Sequence, residues 1–76
     1  MHIIIEVLQG SVDLTGANLS GANLGKTNLT NARCCRVDFS NVVFQETNLD
    51  KSKIDTKYKN YISSTNVKYK ERIQWS

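Results

Sequence analysis

The chain has 76 residues, of which 39% are hydrophobic and 22% charged, with no proline, two cysteines and a formal net charge of +3. That length bounds it to one domain, and nothing in it approaches the roughly 20 consecutive apolar residues that a membrane span requires. Cys34 and Cys35 are neighbours, which excludes a long-range disulfide and makes a reduced, cytoplasmic setting the expectation.

In chain order the first element is a strand. Ile3, Ile5 and Val7 alternate with His2, Ile4, Glu6 and Leu8, the pattern of one extended segment. It has no basic leader and Glu6 interrupts its short apolar run, so it does not read as a signal peptide. Residues 1–11 are therefore expected to form an N-terminal cap strand. An apolar strand edge left unpaired invites dimerisation or aggregation.

From Val12 to Thr56 the chain repeats every five residues: VDLTG, ANLSG, ANLGK, TNLTN, ARCCR, VDFSN, VVFQE, TNLDK, SKIDT. The third position is Leu14, Leu19, Leu24, Leu29, Cys34, Phe39, Phe44, Leu49 and Ile54, apolar in all nine units, and the first position is small or β-branched. A helix returns to one face about every 3.6 residues and a strand every second residue, so a period of five fits neither. Each unit must then hold a short extended piece and a bend, with its first and third side chains inward and the others toward water. One such unit cannot bury its apolar face alone, and stacked units can, which is the logic of a solenoid. Missing proline suits a winding whose N–H groups bond to the next turn. Gly16 and Gly21 at the fifth position and Gly25 at the fourth read as corners that take positive φ.

AlaAsnLeu at 17–19 and 22–24, ValAspLeu at 12–14, ThrAsnLeu at 27–29 and 47–49, and ValAspPhe at 37–39 resemble the pentapeptide-repeat family, whose pattern is A-(D/N)-L-x-x. The resemblance covers 45 of the 76 residues. It implies an all-β fold: a right-handed quadrilateral β-helix with four pentapeptides, or twenty residues, per coil. Residues 12–56 then make about two coils. The units holding Arg33, Cys34 and Cys35 and holding Val42, Val43 and Phe44 lack the Asp or Asn, and there the coil is expected to be least regular.

A twenty-residue coil predicts which side chains stack. Leu14 falls under Cys34 and Ile54, Leu19 against Phe39, Leu24 against Phe44, and Leu29 against Leu49. Outside, Asp13 faces Arg33 and Lys26 faces Glu46, pairs worth at most about 1 kcal/mol each. Asn28 over Asn48 is expected to form an amide ladder, and Asn18 beside Asp38 a polar one. Such a small open solenoid needs cover at both ends, or a partner that supplies it.

Residues 57–76 read as a basic, aromatic C-terminal cap or tail. Lys57, Lys59, Lys68, Lys70 and Arg72 against Glu71 give it a net charge of +4, whereas residues 12–56 sum to zero. Tyr58, Tyr61 and Ile62, and again Tyr69 and Ile73, have helical spacing, with Ser64 or Thr65 as an N-cap for the second piece.

No catalytic, metal or cofactor site is expected. Arg33 and Arg36 near Cys35 favour a thiolate, but the repeats hold no histidine base, so Cys35 reads as a surface residue of a degenerate unit. His2 and two adjacent cysteines give no metal-ligand spacing. The glycines lack the spacing of a phosphate loop, and Asp13, Asp38, Asp50 and Asp55 sit outside separate units, where solvation is their role.

The expected function is therefore a non-enzymatic structural or protein-interaction module. Within the family it resembles, one activity is DNA mimicry toward type II topoisomerases by acidic members. A neutral coil with a basic tail argues against that reading, because a duplex mimic needs dense negative charge. The alternative is polyanion binding by Lys57, Lys59, Lys68, Lys70 and Arg72 with Tyr58, Tyr61, Tyr69 and Trp75, on nucleic acid or an acidic membrane surface. Against it stands the simpler reading that these aromatics cover the last coil. A homodimer through an exposed coil end, or a chain that is part of a larger repeat protein, also fits the short repeat.

Overall fold

A computed structural model describes residues 12–76, so the cap strand expected over 1–11 lies outside the described residues. Isolated parallel bridges join Asp13 to Arg33, Asn18 to Asp38, Asn23 to Val43 and Asn28 to Asn48, an offset of 20 residues in every case. Leu14, Leu19, Leu24 and Leu29 donate N–H bonds of 2.8–3.0 Å to the carbonyls of Arg33, Asp38, Val43 and Asn48. The amides of those four residues in turn reach the carbonyls of Val12, Ala17, Ala22 and Thr27. These four rows of parallel bridges wind the chain into a β-helix-like solenoid.

The corners close in one way. The carbonyls of Leu14, Leu19, Leu24, Leu29, Phe39, Phe44 and Leu49 accept the N–H of the next unit's first residue, as in Ala17 to Leu14 at 2.9 Å and Thr47 to Phe44 at 3.1 Å. The fifth residue takes positive φ, the requirement of the third position in a type II turn. Gly16 and Gly21 do so at 76° and 75°, and Lys26, Asn31, Arg36, Asn41, Glu46 and Lys51 at 57° to 61°. Gly25 does not; its place at the fourth position has the side-chain oxygen of Asn23 only 3.0 Å from where a Cβ would stand. The corner thus belongs to the fifth residue whatever its type.

The second-position Asp or Asn reinforces the same bend. Oδ1 of Asp13, Asn18, Asn23, Asn28, Asp38 and Asn48 accepts the N–H two residues on, at 2.9–3.0 Å. This is an Asx turn, which satisfies a backbone donor locally. It also overturns the expected side-chain ladders: Asn28 and Asn48 bridge through their backbones while each amide oxygen serves its own unit. The units without Asp or Asn are not irregular either. Arg33–Cys34 forms the strand β1, and Arg36 and Glu46 take the same φ as their counterparts; the Glu46 corner is closed by the backbone bond from Thr47 to Phe44, and at the other the Arg36 N–H donates to Asp55 Oδ2.

β1 pairs in parallel with β2, Lys53–Ile54, and β2 with β3, Gln74–Trp75. Strands are only two residues long because every unit turns immediately afterwards. Inside lie Leu19, Leu24, Leu29, Cys34, Phe39, Phe44, Leu49 and Ile54, all buried, with Leu14 partly buried at the end of the stack. First-position Thr47 and Ser52 are buried too, and their hydroxyls donate to the carbonyls of Leu24 and Leu49.

At Thr56 the five-residue rhythm stops, and a 3-10 turn, Thr56–Tyr58, leads into the single α-helix of the described residues, α1, Lys59–Ser63. The fold is therefore not purely β. Tyr58 packs edge-on to Phe39 with ring centroids 5.4 Å apart, and Tyr61 meets Phe44 at 6.1 Å. Their hydroxyls also take up backbone groups of the last repeat coil: the Phe39 N–H donates to Tyr58 Oη at 3.2 Å, and Tyr61 Oη donates to the Val42 carbonyl at 2.7 Å. Ser64 and Thr65 do not cap a second helix; their hydroxyls bond back to the carbonyls of Tyr61 and Ile62. The second helical piece is a 3-10 turn, Lys70–Arg72, entered from Tyr69 in the left-handed conformation. It absorbs one extra residue: Asn48 bridges Lys68 at an offset of 20, whereas Lys53 pairs with Gln74 at 21.

Nothing lies within 4 Å of a Cβ added at Gly16, so Gly16→Ala tests the corner conformation alone. In urea denaturation it is expected to lose about 1 kcal/mol. Lys26→Gly, which relieves the same conformation, is expected to be neutral or stabilising. A stabilised Gly16→Ala protein would contradict the corner geometry.

Candidate functional site

The described surface follows from the repeat. Second-position side chains point outward along the rows, and most are occupied in Asx turns. Asp13 and Asp38 have their carboxyls held below the ordinary value of 3.8, chiefly by hydrogen bonds from Thr15 and Ser40. That shift favours the ionised form, opposite to what a general acid needs.

Neither expected cross-coil ion pair forms. Asp13 Oδ1 is turned back on Thr15, whose N–H and hydroxyl it accepts at 3.0 and 2.6 Å, and Lys26 and Glu46 make no ion pair among the described residues. The one ion pair there joins Arg72 Nε to Asp50 Oδ1 at 2.8 Å. The guanidinium N–H is not aligned on that oxygen, so the contact is Coulombic and not a hydrogen bond. Nor do the described residues hold a group of three His, Cys, Asp or Glu able to bind a metal ion.

The five tail cations are not gathered into one patch. Lys57 Nζ lies 5.3 Å from the ring centroid of its neighbour Tyr58, and Lys70 Nζ donates to the Ser63 carbonyl at 3.0 Å. Arg72 holds Asp50 and stands 5.8 Å from the Tyr69 centroid. Lys59 is exposed on α1, and Lys68 is exposed on the row of Asn28 and Asn48. Three of the five are thus engaged by the protein itself.

One outward residue breaks the polar rule. Val43, bridged to Asn23, is apolar at the second position and 47% exposed. Beside it Tyr61 is 44% exposed, and the two border a shallow hollow of 520 Å³ whose lining includes Asn41, Gln45 and Thr65. Sequence reading missed this patch by treating Val43 only as a departure from pattern.

A family profile described as pentapeptide repeats matches residues 17–54 in eight copies. The chain belongs to this family. No curated protein and no solved structure matches it. As a pentapeptide-repeat protein it places Cys34 among the third-position core residues, while Cys35 turns partly outward. Burial pushes the Cys34 thiol up to about 12, so it stays protonated and inert at neutral pH. No helix of the described residues is long and apolar enough to cross a membrane.

Two outcomes are expected. Iodoacetamide will alkylate Cys35 in the native pentapeptide-repeat protein and Cys34 only after denaturation, as read by peptide mass spectrometry; equal labelling would contradict the burial of Cys34. Asp38 has a folded-state pKa below 3.8, so its contribution is present above that value and lost as pH falls through the folded pKa. Asn18 makes the same turn uncharged. Asp38→Asn should therefore match the parent at pH 7 and resist acid better below about pH 4.

Proposed function

We propose that the chain is a right-handed quadrilateral β-helix in which residues 12–56 are the repeat and 57–76 its C-terminal cap. It works without catalysis, as a structural or protein-interaction module. The reading is supported by the outward polar groups, most of which are already bound into the turns they close. It agrees with a family of non-enzymatic repeats, and the two free cysteines fit a reducing, cytoplasmic compartment.

The observation that carries the protein-contact reading is the patch of Val43 and Tyr61. A shallow hollow is offered there with an apolar rim and uncharged lining in Gln45 and Thr65, and Lys26 and Glu46 stand on the other side of Val43. A contact core depleted of charge with a tyrosine at its edge is the usual composition of protein interfaces. Polyanion binding by the tail cations is disfavoured, since Lys70 and Arg72 are held by Ser63 and Asp50 and Lys57 lies over Tyr58. Topoisomerase mimicry is disfavoured by the mixed charges on the coil.

Val43→Asn tests the reading. Asparagine at this position can accept the Gln45 N–H, as Asn23 accepts that of Gly25, so stability is expected to hold or rise by about 0.5–1 kcal/mol. The same change removes the apolar rim at Val43. Affinity capture from the native cell extract should then lose the proteins retained by the parent chain, and retention of all of them would sink the proposal.

A further inference from the structure

Arg33 in β1 stands directly across from Lys53 in β2, in parallel register. Both are exposed, and neither has an ion-pair partner among the described residues. Neighbouring strands are roughly 4.8 Å apart, and like charges directly opposite one another are destabilising. The corners on either side carry two more exposed cations, Arg36 after β1 and Lys51 before β2. Four of the five basic residues in 12–56 thus lie on or beside one row, although the repeat as a whole is neutral.

Three carboxylates lie on or beside this row, Asp13 directly across from Arg33 on its other side and Asp50 and Asp55 at the neighbouring corners. Asp13 accepts from Thr15, Asp55 Oδ2 accepts the Arg36 N–H at 3.0 Å, and Asp50 meets Arg72. They moderate the potential of the row, but no acid stands between Arg33 and Lys53. An exposed ring lies beyond the corner at Lys51. The Lys51 N–H donates to the Arg72 carbonyl at 3.1 Å, Arg72 lies over Tyr69, and Tyr69 is 48% exposed.

We propose that this row binds the phosphodiester backbone of a single-stranded nucleic acid, with Arg33, Lys51 and Lys53 on its phosphates and a base stacked on Tyr69. Cations that follow a backbone beside an aromatic platform are the recurring composition of single-strand binders. Arg33, Lys51 and Lys53 supply three cations, enough to neutralise about three phosphates. The cross-strand repulsion disfavours the free protein, and a bound phosphate chain offsets it. The proposal goes beyond the protein-contact reading and uses a different row, so each can fail without the other.

The test is fluorescence anisotropy of the full chain with a labelled oligothymidylate of about fifteen nucleotides. With three phosphate contacts, affinity should fall roughly 20-fold between about 50 and about 200 mM salt. Lys53→Glu should weaken binding at least about tenfold, yet raise the Tm by a few degrees because it replaces repulsion across from Arg33 with attraction. Lys59→Glu, on α1 and away from the row, makes the same change of net charge and should leave affinity within about twofold of the parent. Arg33→Gln serves as the second variant should Lys53→Glu fail to fold, and should cost about fivefold. The proposal is overturned if both row variants bind like the parent, if Lys59→Glu costs as much as they do, or if affinity ignores salt. Capture by phosphatidylserine vesicles without oligonucleotide binding would overturn it as well.

Discussion

A left-handed residue at every fifth position is the constraint from which the rest of this structure follows. It turns the chain after three extended residues, and the third-position carbonyl closes the bend on the next unit's first amide. Six of the eight such corners are built on residues other than glycine, each at a cost of about 1 kcal/mol. The winding has to supply that energy. It does so collectively, through the parallel backbone bonds between coils and the burial of two side chains per unit, neither of which one unit could achieve alone. The Asx turns lower the cost where they occur. Their absence at Val43 leaves the corner closed by the backbone bond from Thr47 to Phe44, and at Arg33 the corner keeps its φ with the Arg36 N–H donated to Asp55 of the next coil, so the side-chain bond is an auxiliary device.

A winding held by its neighbours must end on something other than another repeat. Here the chain uses tyrosine. Tyr58 and Tyr61 put rings against Phe39 and Phe44 and hydroxyls on the backbone of the same residues' rows, replacing both the core and the hydrogen bonds that a further coil would provide. On the remaining rows the chain itself continues, with Lys68 bridged to Asn48 and β3 paired to β2. The last repeat coil is therefore covered partly by bridged backbone and partly by the aromatic side chains of Tyr58 and α1.

The period of five was legible in the residues because one type of requirement, apolar at the third position, recurs without exception. Corner geometry was not: Lys26, Glu46 and Lys51 carry no mark of positive φ, and Gly25 carries a misleading one. Outward pairing was also beyond the sequence. A twenty-residue offset places Asp13 beside Arg33, but a carboxylate so short finds the Thr15 amide and hydroxyl before it reaches a neighbouring coil. The tail's helical spacing was visible around Tyr58, Tyr61 and Ile62. Ser64 and Thr65 misled because the same hydroxyls that cap a helix start can bond backward and end one.

Net charge is a poor guide to such a surface, because a solenoid sorts side chains by their position in the unit and by the row on which that unit falls. Two basic residues twenty positions apart are distant in any sequence window and adjacent in space. Residues 12–56 sum to zero and still set Arg33 against Lys53, while the tail, with its excess of four positive charges, turns Lys70 onto the Ser63 carbonyl and Arg72 onto Asp50 of the repeat. The informative places are those where the winding accepts a local disadvantage. An apolar Val43 forgoes an Asx bond, and a like-charged pair forgoes cross-strand attraction. Neither is required to close a corner or fill the core, and these are the two places on which the proposed contacts rest.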